Sequence, residues 1–320
     1  AHYVFPKREG QSARVGWPNN RRLAEKIYHA AIDNWCAELL RSLPSRPDQS
    51  ETANLVEGLE QMRQSDMPNP KSFAQAMKGK FAKYWKEAIA AEIANLKKHG
   101  TFQWVPPPSH RRVHLDGTWA FKAKAHSNGM ISRLKARLVA RGFKQIYGHD
   151  YTKSMAPVGK LVTFRWLLAE MAHRGHTMTV MDIESAYLQA TLKIPQLMKA
   201  PKGVTPPKEG WVMKLIKSLY GLKNAGREWH ELFSRDLKEW GFINGHADPC
   251  LYTKTDPTNG EVLRVLLFVD DLACFATAGS KLLMEFKKQI EVKYNYSSND
   301  KKTQDGLRTK HLYNMHILIY

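Results

Sequence analysis

From Leu263 to Ala276 the chain alternates between two apolar runs of strand length, interrupted by the adjacent carboxylates Asp270 and Asp271. That pattern predicts a β-hairpin with the acids at its tip. A second strand-like run, His176 to Leu188, places Asp182 directly after Val180 and Met181. Helical periodicity marks five further segments. In 21–43 an apolar residue recurs every four positions through Leu23, Ile27, Ala31, Trp35 and Leu39, and Pro44 ends the segment. In 72–98 the face is Trp85, Ile89, Ile93 and Leu96, closed by His99-Gly100; in 162–173 it is Phe164, Leu167, Leu168 and Met171. Trp229, Leu232, Phe233, Leu237 and Trp240 form one face before Gly241, and Leu283, Phe286 and Ile290 align within 280–292. Alternation at 119–122 and 131–139, around the turn signal Ser127-Asn128-Gly129, predicts a second hairpin. The Pro- and Lys-rich stretch 195–210 is expected to be a loop, 1–20 a tail and 45–70 a linker.

Composition narrows the class. The chain has 320 residues, enough for two or three lobes, and its 43% hydrophobic content is that of a globular protein. Lys and Arg number 49 against 30 acids, a net charge of +19. Such an excess attracts polyanions, nucleic acid before anionic membrane. No apolar run approaches the roughly 20 residues of a membrane helix, and no signal peptide opens the chain. Three scattered cysteines, Cys36, Cys250 and Cys274, fit neither a disulfide framework nor a zinc cluster and suit a reducing compartment.

The chemistry lies in three places. Acids ending two strands can bind a pair of Mg²⁺ ions about 4 Å apart, which clamp the attacking and leaving oxygens of a phosphoryl transfer; alone, an Asp-Asp turn is more readily a solvated tip. Residues 111–144 hold nine Lys or Arg against one acid, Asp116. On a hairpin interleaved with aromatics this suits phosphate contact and base stacking, although a charge run is often only a solvated face. In Tyr220-Gly221, just before a helix, the glycine lets backbone approach a ligand closely.

In order along the chain, these segments resemble the reverse transcriptase domain of copia-type long-terminal-repeat retrotransposon Gag-Pol polyproteins. The resemblance rests on Lys135-Ala-Arg-Leu-Val-Ala-Arg-Gly-Phe-Lys-Gln145, on Asp150-Tyr151 with Ala156-Pro157-Val158, on Asp182-x-x-x-Ala186-Tyr187, on Ser218-Leu-Tyr-Gly-Leu-Lys223 and on Phe268-Val-Asp-Asp271. It implies an α+β fold: a right-hand polymerase with palm and fingers, a small antiparallel sheet backed by helices, and a thumb missing or incomplete. Residues 1–70 would be tail, helix and linker. Of 71–320, about 101–160 would be fingers and about 161–320 palm.

The resemblance also implies function. The activity would be RNA-directed DNA polymerisation, with Asp182, Asp270 and Asp271 as catalytic residues. Together with the carbonyl of Ile183 they would hold two Mg²⁺ ions, Mn²⁺ being possible in their place; Asp271 would act as ligand or through its field. Lys135, Arg137, Tyr187, Tyr220 and Gly221 would bind the deoxynucleoside triphosphate, with Tyr187 as the wall against a 2′-hydroxyl or, on the blander reading, simply core. Arg133, Arg141, Lys144, Lys223, Phe268 and Val269 would meet nucleic acid. Partners would be an RNA template, a DNA or RNA primer and the polyprotein's integrase and ribonuclease H segments, and the location cytoplasmic, in virus-like particles. No membrane partner is expected.

The sequence departs from the family in four places: Phe268 for the usual Tyr, Asn224-Ala225-Gly226 where a proline is usual, Tyr294 to Lys302 in place of a turn, and His316 at a glycine's place in the expected primer-grip strand 313–317. A non-catalytic nucleic-acid-binding remnant and a structural fragment stay open as alternatives.

Overall fold

The computed structural model describes residues 62–67, 69–109, 113–126, 128–294, 296–298, 301–302, 308–312 and 315–319. The expected tail, the 21–43 helix and residues 45–61 and 68 of the 45–70 linker lie outside the described residues.

The 72–98 segment forms a short helix α1 (Phe73–Ala76), capped by the Ser72 hydroxyl accepting from Gln75 N–H, and then α2 (Ala82–Lys98). Trp85, Ile89, Glu92 and Leu96 are its buried positions, spaced to lie on one face. Lys97 and Lys98 occupy its last turn, where cations meet the negative end of the helix dipole. That face lies under a hairpin of β2 (Gly117–Ala125) and β3 (Ile131–Ala140). Trp85 meets Phe121 edge-on at 5.1 Å, and the Glu92 carboxylate accepts from the Leu138 N–H at 3.1 Å. Burying aromatics and leucines of this size contributes about 2–3 kcal/mol each.

Beside this unit lies a three-stranded antiparallel sheet ordered β1 (Phe102–Val105), β6 (Val212–Lys217), β5 (Thr191–Met198). The predicted loop therefore begins only after Met198. Pro195 is accommodated because the β5–β6 register shifts between Thr191 and Gln196, an irregularity of the kind that tolerates a residue without an N–H.

The largest sheet has six antiparallel strands in the order β11 (Tyr296–Ser298), β4 (Thr177–Ile183), β10 (Asp271–Ala276), β9 (Val262–Phe268), β8 (Leu251–Thr255), β7 (Ile243–Asn244). Tyr296–Ser298 is thus an edge strand pairing with β4, in the stretch that stands in place of the family's usual turn. Leu272 to Ala276 are buried without alternation, so both faces of the sheet are covered. The cover comes from α3 (Leu161–Arg174), α5 (Ala225–Glu239) and α6 (Lys281–Lys293), whose Phe164, Trp229, Phe233, Phe286 and Ile290 share one core with the strands. Gly175 ends α3 in the left-handed conformation, and the Ser280 hydroxyl caps α6 by accepting from Leu283 N–H. A short α4 (Ala186–Gln189) follows β4 directly.

Toward the C-terminus, β12 (Lys301–Lys302), β13 (Arg308–Leu312) and β14 (Met315–Ile319) form a separate antiparallel sheet. The expected strand 313–317 is displaced to Met315–Ile319 and includes His316. Among the described residues, no helix is long and apolar enough to cross a membrane.

Candidate active site

The three aspartates come together at one end of the six-stranded sheet. Asp182, near the end of β4, is the direct cross-strand partner of Asp271, the first residue of β10. Directly opposed residues of an antiparallel pair point to the same face. Asp270 occupies the two-residue turn between β9 and β10, and its carbonyl accepts from the Ile183 N–H at 2.9 Å. Ile183 thereby joins the site through its backbone, while its side chain is buried. The sequence pattern foresaw the strand ends; which of the two adjacent acids would face Asp182 depends on register alone.

The turn is strained. Val269 has φ 59°, and Ser185, just beyond Asp182, has φ 50°; these are the non-glycine residues with positive φ among the described ones. A positive φ at the first central position of a two-residue hairpin suits glycine, and a β-branched residue there costs on the order of 1–3 kcal/mol. The Trp229 indole N–H donates to the Val269 carbonyl at 2.6 Å. Trp229 is 1% exposed and stacks on Phe233 at 5.0 Å, so the turn is tied to the core of α5. Sequence reading placed Trp229 in the core and missed this polar contact.

The β2–β3 hairpin carries a cluster of cations. Arg133, Lys135 and Arg137 alternate with inward-packing neighbours such as Ala136 and Leu138, and Lys122 and Lys124 stand directly opposite Lys135 and Arg133. Five cations thus share one face. Like charges directly opposed are unfavourable in a sheet. Burial, and then the Arg137 charge, pull the Lys122 ammonium below its ordinary pKa.

Tyr220 joins hairpin and acids. The Arg137 guanidinium lies 5.3 Å from its ring centre, and Tyr187 meets it edge-on at 5.3 Å. Burial raises the Tyr220 phenol pKa well above its usual range. Arg137 opposes that rise, while Asp270, Glu92 and Asp182 add to it. A single hydroxyl therefore feels both arms of the acid cluster and the hairpin cation. Glu92 was not foreseen as a member of this group.

Backbone meets backbone at the next residue. The Ala140 N–H donates to the Tyr220 carbonyl at 2.7 Å. A Cβ on Gly221, whose φ is +86°, would lie 2.2 Å from the Ala140 carbonyl oxygen, and one on Gly142 would lie 2.1 Å from the Gly221 oxygen. Two glycines from distant parts of the chain make one close contact. Gln145 pins the same loop: its Oε1 accepts from the Lys223 N–H at 2.7 Å, and its Nε2 donates to Asn224 Oδ1 at 3.3 Å. Asn224 in turn donates to Glu228, whose pKa burial raises against that hydrogen bond. The Asn224-Ala225-Gly226 departure therefore leaves the loop held by a buried amide chain in place of a proline.

The remaining expected residues are placed as follows. Arg141 and Lys144 both pair with Asp116, at 3.3 and 2.8 Å. Burial would raise the Asp116 pKa, but Lys144, Arg141 and Lys199 hold it below the usual carboxylate range. Lys223 lies over the Tyr151 ring at 5.2 Å. Phe268 is buried at 4% exposure, so of the Phe268–Val269 pair only Val269 keeps appreciable side-chain surface.

The donor set at the site is one of oxygens. Among the described residues, no group of three or more His, Cys, Asp or Glu side chains closes around one point. The site offers opposed carboxylates and backbone, without thiolate or imidazole. That suits Mg²⁺, which binds through one or two carboxylates and completes its shell with water and substrate phosphate.

A family model for reverse transcriptase (RNA-dependent DNA polymerase) matches residues 99–303, a span holding every residue of this site except Glu92. The chain is 33% identical over 209 residues to the Retrovirus-related Pol polyprotein from transposon TNT 1-94 of Nicotiana tabacum, covering 65% of this chain and 16% of that protein. It is 34% identical over 205 residues to the corresponding polyprotein from transposon RE1 of Arabidopsis thaliana, covering 63% and 14%. To the Transposon Ty1-DR5 Gag-Pol polyprotein of Saccharomyces cerevisiae it is 33% identical over 234 residues, covering 68% and 12%. The chain thus spans less than a fifth of the length of these relatives.

Proposed function

Since the chain belongs to the reverse transcriptase (RNA-dependent DNA polymerase) family and resembles the Pol polyproteins of copia-type transposons, we propose that it extends a primer 3′-hydroxyl with deoxynucleotides directed by an RNA template. The observation that carries this reading is the pairing of Asp182 with Asp271, with Asp270 at the adjoining turn bonded to Ile183. In this reading the six-stranded sheet is the palm and the β2–β3 hairpin belongs to the fingers.

Asp182, Asp270 and Asp271, with the Ile183 carbonyl, would hold two Mg²⁺ ions, or Mn²⁺ in their place. The chemistry such ions would supply there is ionisation of the 3′-hydroxyl and neutralisation of charge on the triphosphate and its leaving group. The protein's own groups do the rest. Lys135 and Arg137 meet the triphosphate from the hairpin face, and its negative charge relieves the repulsion among the five cations. Tyr220, its pKa raised, stays protonated at neutral pH and offers a hydroxyl donor. Gly221 lets backbone approach the nucleotide, and Tyr187, held edge-on against Tyr220, stands as the wall under the sugar. Arg133, Arg141, Lys144, Lys223 and Val269 line the nucleic acid path. The polyprotein context makes integrase and ribonuclease H segments the natural partners and a virus-like particle the natural location.

The test is extension of a labelled DNA primer on a homopolymer RNA template, with Asp270→Asn as control. Template-dependent extension by the wild type alone is expected. RNA binding without any extension would identify a non-catalytic remnant instead.

A further inference from the structure

After β3 the chain makes a tight loop from Arg141 to Tyr151. Phe143 is 74% exposed, Ile146 54% and Tyr147 72%, three large apolar side chains within five positions. They are not on a loose segment. The Asp150 carboxylate, 4% exposed by residue, accepts from the Ile146 N–H at 2.8 Å and sits at 2.7 Å from His114 Nε2 and 2.9 Å from His149 Nδ1. Its carbonyl accepts from Gln196 at 2.7 Å. Gly148 N–H donates to the Tyr151 carbonyl at 2.8 Å, and Gly142 and Gln145 fix the start of the loop against Gly221 and Lys223. The loop is wound around its own buried acid, and its rings are pushed outward.

The chemistry of the exposed side is aromatic and cationic. Tyr147 meets Tyr151 edge-on at 5.7 Å, and the Lys223 ammonium lies over Tyr151 and donates to its hydroxyl at 3.3 Å. The loop's single carboxylate is turned inward. Flat rings on a rigid support, with the Lys223 ammonium beside them, match unpaired bases with their phosphates. We propose that Phe143 and Tyr147 are a stacking edge for the single-stranded RNA template, with Lys223 meeting its phosphate. The identity of the strand as template rests on the polymerase reading; the stacking itself does not.

The experiment measures fluorescein-labelled oligouridine RNA binding by anisotropy across a salt series. Phe143→Ala with Tyr147→Ala should weaken binding on the order of tenfold per ring and leave the salt slope unchanged. Phe143→Leu with Tyr147→Leu should also weaken it, because apolar bulk without a flat face does not stack. Lys223→Gln should lower the slope by about 0.7, the value for one single-strand phosphate contact. Unchanged affinity in the alanine pair would overturn the proposal. So would full affinity in the leucine pair, above all with altered self-association, which would make the patch a protein contact. Should the variants fail to fold, 4-thiouridine RNA crosslinked to the wild-type protein is expected to label the peptide holding Phe143 and Tyr147, and crosslinks confined to other peptides would overturn it. Primer extension by the wild type separates the two readings. Extension with unaffected RNA binding in the variants removes the stacking edge alone, and weakened binding without extension removes the polymerase alone.

Discussion

Asp182 and Asp271 stand directly opposite one another on neighbouring strands, in a ladder whose next pairs are the apolar Met181–Leu272 and Val180–Ala273. Two carboxylates so placed repel, at a cost of about 0.2–1 kcal/mol. Asp271→Asn is therefore expected to raise the melting temperature slightly in chelator and to lose most of the stabilisation that Mg²⁺ gives the wild type. Thermal melts with and without Mg²⁺ check both. A lower melting temperature in chelator would make the pair a structural element.

Asp270 is exposed at the turn tip, so Asp270→Asn should fold normally. It removes a charge from the proposed metal site. With several kcal/mol of transition-state stabilisation at stake, single-nucleotide incorporation should fall about a thousandfold or more. A near wild-type rate in Mg²⁺ would remove Asp270 from the chemistry.

Tyr187 packs edge-on against Tyr220 and belongs to the margin of both hydrophobic cores. Tyr187→Val should shift the ratio of kcat/KM values toward ribonucleotides by about 10- to 100-fold, the range a steric pocket commands. A purely packing role predicts equal losses for both sugars. Matched ribo- and deoxyribonucleotide incorporation decides between them.

Gly221→Ala tests the contact between the β2–β3 hairpin and the Tyr220-Gly221 loop. The positive φ alone costs about 1–3 kcal/mol, and the new methyl would meet the Ala140 carbonyl, a backbone atom that cannot rotate away. Loss of cooperative unfolding or a clearly lowered denaturant midpoint is expected, with incorporation lost too. Gly148→Ala, whose Cβ meets nothing within 4 Å, is the control for φ strain without the clash.

Asp150 supplies a pH prediction. Burial would raise its pKa, but the hydrogen bonds from Ile146, His149 and His114 outweigh this and hold it below the usual carboxylate range. A depressed carboxylate contributes stability that is fully present above its unfolded value near 3.9 and is lost as pH falls through the lower folded value. Asp150→Asn should cost about 1.5–3 kcal/mol at pH 7. It should also flatten the acid limb below pH 4, as read from urea midpoints across pH.

What the sequence made legible was whatever repeats along the chain. The apolar spacings within 162–173 and 280–292 predicted helices within a residue or two, whereas the single helix expected over 72–98 is broken at 77–81 and its longer part starts only at Ala82. The interrupted apolar run around Asp270 predicted the hairpin, because alternation and helical period are local properties. Hidden were contacts between distant segments that follow no period. The Trp229 indole on Val269, Glu92 beneath the hairpin, Gln145 bracing Lys223, and Gly142 against Gly221 each join segments far apart. Pro195 misled for a related reason: its tolerance in β5 depends on a register shift against a partner strand that the local sequence does not reveal.

The β4–β10 ladder also has a bearing on how this chain can vary. Its alignment is fixed by buried pairs such as Val180–Ala273 and Met178–Phe275, well down the strands from the acids. Slipping one strand by a single residue would move every side chain to the other face, leaving Asp271 opposite a hydrophobic neighbour and Asp182 without its counterpart. Exchanging one apolar residue for another in this stretch disturbs packing by degrees. Losing or gaining a codon there breaks the Asp182–Asp271 pairing outright, even in a chain that still folds, so for that pairing the spacing between Asp182 and Met178, and between Asp271 and Phe275, matters more than the identity of the residues that fill it.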